Sequence, residues 1–434
     1  MASGDSTQSR VTPYLIYLVL ITTLGPLQFG YHLAELNAPQ AVLTCERKSI
    51  HSSAESLSHS LPRCIPMNPS QFGLVSSIYT LGGFLGALLA GPVSTKHGRL
   101  FALRATTIFF ILGPIAETLA SSISMLGFGR FLSGVGSGAA IVVGPIYVSE
   151  IAPPSARGFF GAFTQIMTNV GILLTQLIGY FLSEGSMWRI ILAIAGTIGM
   201  LQLLGLFMVP ESPTWLAEHQ KTDMARQVLQ RIRGKNTDIE EEIEGWRTFM
   251  DASGLGEEQS LLTSPSANIP PKQPPVTIVR AALDPKYRPA IIAVVGVMCV
   301  TVADYPTHHR SFVDALGIYF NQKVLSVIAV LLFVSSFAIG LGPVPFILAS
   351  ELVGPEAVGA AQSWALAANW TATFVVAQFF PILNDILGGR GKIYWVFAGM
   401  AAILGGFIYG WVPETRGKAN VNEVWGREDQ RRRD

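Results

Sequence analysis

The chain has 434 residues, of which 14% are charged and 50% hydrophobic, with a formal net charge of +1. Soluble domains carry about 25% charged residues, so these proportions exclude an ordinary soluble fold, and the near-zero charge leaves no footprint for a nucleic acid partner. Three cysteines are too few for a disulfide framework.

A membrane-spanning helix needs about 20 mainly apolar residues. Such runs occur at 12–34, 72–93, 101–120, 124–148, 158–182 and 188–209, then at 287–303, 325–350, 361–384 and 393–412. No small-residue cleavage site follows the first run, so it reads as a span and not as a removable leader. The polar stretch 213–285 opens with a helix-prone, charged part (222–250) and closes with a Gly-, Ser- and Pro-rich linker (253–275). Basic residues crowd alternate loops: Lys96, Arg99 and Arg104, then Arg157, then the polar stretch, then Arg431, Arg432 and Arg433. This bias predicts that both termini are cytosolic; Arg390 and Lys392 oppose it. The expected division is a cytosolic N-terminus (1–11), a six-helix bundle (12–212), a cytosolic segment (213–285), a shorter second bundle (286–413) and a cytosolic tail (414–434).

The two halves share words. GPIYVSEI ends the fourth run and GPVPFILASEL the eighth, which places Glu150 and Glu351 201 positions apart; VPES and VPET place Glu211 and Glu414 203 apart. Two pairs at nearly one offset imply parallel repeats, a transporter architecture. Pro13 lies 137 residues before Glu150, but Pro289 lies only 62 before Glu351. The second half is therefore short by about two helices, the second and third of its set, and the expected fold is all-α with 6 + 4 spans.

The ordered words QFGYHLAELNAPQ (28–40), GRFLSGVGSG (129–138), GPIYVSEIAPPSARG (144–158), QIMTNVGILLTQ (165–176), PESPTWL (210–216), ANWTATF (368–374) and PETRG (413–417) resemble those of the sugar porters of the major facilitator superfamily, most closely fungal members. The resemblance implies a twelve-helix, two-bundle transporter with a cytosolic helical linker, of which this chain lacks about two helices. It implies a gating network of Glu150 with Arg99 and Arg157, and of Glu211, Glu351, Glu414 and Arg416, which would hold the halves together on the cytosolic side. The loop GPVSTKHGRL (91–100) departs from the family turn, since Thr95 stands where an acid is expected. Amides and aromatics read sugars, and the resemblance assigns sugar contact to Gln165, Gln176, Asn369 and Trp370. Phe346 stands where the family often has tryptophan.

His32 occupies the place of an aspartate in proton-coupled relatives and of an asparagine in facilitators, so it is a candidate coupling residue. Glu117 is the expected partner of Arg130. Cys45 and Cys64 share the long outer loop and are a candidate disulfide. Nothing resembles a nucleotide-binding loop or a metal cluster, so no cofactor, metal or ATP-driven step is expected, and the chain reads as no enzyme. The expected function is transport of a hexose-type sugar by alternating access, facilitative or proton-coupled, across a plasma or vacuolar membrane. Two alternatives stand beside it: a non-transporting sugar sensor, or the product of a mis-spliced gene model.

Overall fold

The computed structural model describes residues 11–46, 61–153, 156–234, 237–240, 242–244, 284–293, 295, 352–353, 358–388, 392–415 and 424–425. Its elements are α1 (Pro13–Ala34), α2 (Gln40–Leu43), α3 (Pro69–His97), α4 (Arg99–Thr118), α5 (Ile123–Ile151), α6 (Arg157–Leu182), α7 (Trp188–Gly205), α8 (Pro213–Glu218), α9 (Thr222–Arg233), α10 (Val358–Ile386) and α11 (Ile393–Trp411). Seven of these helices, α1, α3 to α7 and α10, are long and apolar enough to cross a bilayer. Most of the seventh run and all of the eighth lie outside the described residues, as do Phe346, Glu351 and Arg416.

Local sequence sets the helix starts. The Thr12 hydroxyl accepts from Leu15 N–H and Pro13 follows at the first helical position, where its missing N–H costs nothing. Asn68 and Gln71 form a reciprocal capping box ahead of Pro69. Ser122 caps α5 and Ser212 caps α8. Between α3 and α4 the chain turns at Gly98 with φ of 101°, a conformation that side chains resist.

Within the first half, α3 and α5 approach backbone to backbone. A methyl group on Gly82 would fall 2.2 Å from the Phe131 carbonyl oxygen, and one on Gly138 would fall 1.8 Å from that of Gly83. Membrane helices associate by such small-residue contacts because lipid offers no hydrophobic drive. Leu15, Leu18, Tyr147, Val148, Ile151, Leu206 and Ile232 pack into the core nearest α9. Leu36, Leu43, Ile65, Phe72, Leu126 and Trp188 close the opposite end. Outward faces carry exposed apolar residues such as Phe159, Leu173 and Leu204, the surface expected of a helix bathed in lipid.

The two described ends of the segment between α2 and α3 are tied together and to α7. Cys45 and Cys64 are disulfide-bonded. The Trp188 indole donates to the Arg63 carbonyl at 2.8 Å and Arg189 donates to that of Pro62 at 2.9 Å. At the other end the Thr12 hydroxyl donates to the Ile232 carbonyl at 2.6 Å and Arg233 to that of Ile151 at 2.7 Å, so α9 is bolted to α1 and α5.

From the second half, α10 lies along α3. The Ser77 hydroxyl donates to the Gln378 amide oxygen at 2.9 Å. A methyl on Gly73 would fall 2.8 Å from the Gln378 carbonyl oxygen, and one on Gly83 would fall 2.3 Å from the Trp370 ring. These contacts run from the end of α3 that follows the disulfide loop to its middle.

Candidate functional site

Two clusters stand out, one at the α3–α4 turn and one at the α3–α10 contact. At the turn, the Arg99 guanidinium grips both carboxylate oxygens of Glu150, at 2.8 Å from Nη2 and 3.1 Å from Nε. Such forked pairing is stronger than a point contact. Glu218 stands 3.7 Å from the same guanidinium. The Glu211 carboxylate accepts from the backbone N–H of Arg99 at 2.9 Å and of Leu100 at 3.1 Å, at the positive start of α4. A methyl on Gly98 would sit 2.3 Å from Glu211 Oε2, so glycine serves both the turn and the carboxylate. The Trp215 indole donates to the Thr95 carbonyl at 2.8 Å, which seats α8 beneath the turn.

This geometry corrects one expectation. Arg157 is exposed and makes no ion pair with Glu150 among the described residues. The reason is geometric: the Arg99 fork already takes both carboxylate oxygens, and Arg157 opens α6 beyond the 152–156 loop. The network joins α4, α5 and α8, all of which precede the second half in sequence. Glu414 lies exposed after α11.

Arg99→Leu is expected to lower stability by about 2 kcal/mol, between the values for exposed and buried pairs. Thermal unfolding in detergent checks this, and Arg99→Lys, which keeps the charge without the fork, is expected to lose less. Burial pushes the Glu211 and Glu218 carboxyls above the usual carboxylate range, against three N–H donors at Glu211 and the Arg99 guanidinium at Glu218. The folded chain therefore holds these protons more tightly than the unfolded chain. The two groups weaken the fold above the ordinary carboxylate range, and the penalty fades as pH falls through the raised values. Glu218→Gln is expected to flatten the pH dependence of the melting temperature in mildly acidic buffer.

At the second cluster, Trp370 is buried and its indole N–H has no partner among the described residues. Its ring meets Phe29 edge-on at 6.0 Å and Tyr79 at 6.4 Å between centroids. Asn369 precedes it, half-buried. On α6, Gln165 is half-buried and donates to the Asn169 amide oxygen at 3.5 Å, and the buried Nε2 of Gln176 has no partner among the described residues. At the α3–α10 contact, Trp370, Phe29 and Tyr79 form an aromatic floor with an indole donor unpaired among the described residues, a surface that can cover a polyhydroxylated ring. Phe29 and Tyr79 were not anticipated; the aromatic in QFGY was the available signal.

A third group is buried wholly inside the first half. Arg130 Nη1 donates to the His32 carbonyl at 2.8 Å and pairs with the Glu35 carboxylate. This corrects the expected pairing of Arg130 with Glu117. Glu35 follows α1 directly in helical conformation, so the last turn of that helix sets it beside His32 and within reach of the guanidinium, while Glu117 accepts instead from the Ser133 hydroxyl at 2.7 Å. His32 Nδ1 lies 3.0 Å from Glu35 Oε1.

The family model described as "Sugar (and other) transporter" matches residues 18–270 and 290–425. The chain belongs to the sugar (and other) transporter family. Among similar proteins, the probable metabolite transport protein YBR241C of Saccharomyces cerevisiae is 30% identical, over 98% of each chain. That alignment runs over 487 positions, more than the 434 residues here, so the yeast relative carries residues with no counterpart in this family member. Facilitated glucose transporter member 2 of solute carrier family 2 from Sus scrofa is 26% identical, over 95% of this chain and 94% of its own. The inward-open xylose transporter XylE from E. coli shares the fold with a TM-score of 0.67, at 22% identity, covering 96% of this chain and all of that one. This sugar-transporter family member is thus an integral membrane transporter of the major facilitator fold, and its relatives named here are transporters, not enzymes.

Proposed function

We propose that this chain moves a hexose-type monosaccharide by alternating access, with the sugar held between the two halves by Trp370, Asn369, Gln165 and Gln176. The observation that carries the reading is Trp370: a second-half indole, seated on Phe29 and Tyr79 of the first half, with a buried N–H left unpaired. An unpaired buried donor is costly, and a sugar hydroxyl is the partner that would relieve it. The names of the similar glucose and xylose transporters support a monosaccharide over a larger solute. We place both termini in the cytosol on the strength of the basic loops, and the protein in the plasma or vacuolar membrane on its resemblance to fungal sugar porters.

Radiolabelled hexose uptake in a transport-deficient host tests this reading. Trp370→Phe keeps the ring and removes the donor; one lost hydrogen bond is worth about 1 kcal/mol, so the half-saturating sugar concentration is expected to rise about fivefold. Sugar binding without uptake by the native chain would replace transport with the sensor reading. The distances of 137 residues from Pro13 to Glu150 and 62 from Pro289 to Glu351 support a shortened second half. Sequencing the transcript across 295–325 separates a genuine deletion from a splicing error.

A further inference from the structure

Arg104 sits in an apolar, outward-facing stripe of α4. It lies five residues past Arg99, the first residue of that helix, and so about 7.5 Å further along the axis. Phe101 and Ile108, one turn before it and one turn after, are 53% and 50% exposed, and Leu112 and Ile115 continue the stripe. Such a surface faces lipid, where a fixed charge is costly unless an anion meets it. Arg104 Nη2 donates to the Leu206 carbonyl at 3.0 Å, and the guanidinium carbon lies 5.4 Å from the centre of the Phe207 ring. Its buried Nε has no partner among the described residues.

A second arginine reaches the same place from α9. Arg231 is exposed and lies over the Tyr14 ring, 4.6 Å from its centre. The Tyr14 hydroxyl donates to the Met208 carbonyl at 3.2 Å, and the Tyr17 hydroxyl to that of Gly205 at 2.8 Å. The turn that ends α7, residues 205–208, therefore has one guanidinium bonded to it and the other stacked on the tyrosine that holds it. Leu204, Phe207 and Met208 project from this region as exposed apolar side chains. Neither arginine forms an ion pair among the described residues. Glu211, just past the turn, accepts from the Arg99 and Leu100 N–H groups, and Arg226 and Arg233 of α9 take Glu240 and Glu242.

We propose that Arg104 and Arg231 hold the phosphate of an anionic phospholipid whose acyl chains lie over Leu204, Phe207 and Met208. A guanidinium presents a planar fork of N–H donors that suits phosphate oxygens. The exposed apolar side chains around it favour an anion that carries its own apolar body. A zwitterionic headgroup brings a cation that the two arginines repel, so a net negative headgroup binds better. The depth suits a headgroup too, because the span of α7 ends here and long basic side chains reach from such positions to the interface. The proposed topology turns this end to the cytosolic leaflet, which is the anionic one. A lipid bound there ties α9 to α1, α4 and α7.

Native mass spectrometry of the purified full-length protein in detergent, titrated with phosphatidylglycerol or phosphatidylcholine, tests the site whichever way the chain is inserted. Phosphatidylglycerol is expected to be retained in preference to phosphatidylcholine. One basic residue beside an anionic headgroup is worth about a fivefold change in binding. Arg104→Gln and Arg231→Gln are therefore each expected to weaken phosphatidylglycerol binding by that factor. Arg226→Gln removes the same charge from α9 at a position paired with Glu240 and is expected to leave binding unchanged. Arg231→Gln decides the matter where Arg104→Gln does not fold, because Arg231 is exposed. Equal loss in Arg226→Gln, or no preference for phosphatidylglycerol, overturns the proposal. So does inorganic phosphate that raises the melting temperature of the detergent-solubilised native protein as much as phosphatidylglycerol does, since it makes the ligand a free anion.

Discussion

Gly138→Val is expected to yield no folded first half. The smallest side chain at position 138 would already lie 1.8 Å from the Gly83 carbonyl oxygen, far inside any real contact, and the obstacle is backbone. The two helices would have to separate along a seam that also includes Gly82 and Gly134. Close-packed interiors do not absorb such shifts. Size-exclusion chromatography in mild detergent checks this: the native chain is expected to elute as one symmetric peak and the variant as aggregate. Gly91→Val is the control, because a methyl there meets nothing within 4 Å, and it is expected to elute like the native chain.

Arg130→Leu carries the second-largest expected effect. It strands Glu35, whose side chain is fully buried, and removing one partner of a buried pair costs about 3–5 kcal/mol. The His32 carbonyl loses its donor as well. Thermal unfolding measures the loss, and the double variant Arg130→Leu with Glu35→Gln is expected to recover much of it. A double variant no better than the single one would show that Glu35 is not what the guanidinium neutralises. The comparison isolates the pair, because the Glu117 contact with Ser133 is untouched in both.

The spans of the first half were legible in the sequence because each is a long apolar run, and α1, α3 and α5 also have a capping side chain before them. Arg99 and Glu150 were legible because fixed charges at the end of apolar runs need partners. Glu35 was not. In HLAELNAPQ it looks like the first residue of an outer loop, but it continues the last turn of α1 and its carboxylate is held inside by Arg130 of α5. Burial of that kind depends on contacts distant in sequence, which a pattern along the chain does not carry. Trp370 was read as a sugar contact from its motif alone, but its seat on Gly83 and Tyr79 required the packing of α10 against α3. Arg157 was misjudged for a related reason: the charge and its nearness in sequence were visible, but the commitment of both Glu150 oxygens to Arg99 was not.

The bolts beneath the first half have an order in time. Arg99, Glu150, Glu211, Glu218 and Arg233 find one another, the Ile151 carbonyl and Glu242 within residues 94–242. A ribosome still translating the linker has therefore already delivered every member of that set. This end of the leading bundle can be fastened during synthesis, before any trailing span enters the bilayer, and a deletion downstream leaves that early assembly step intact.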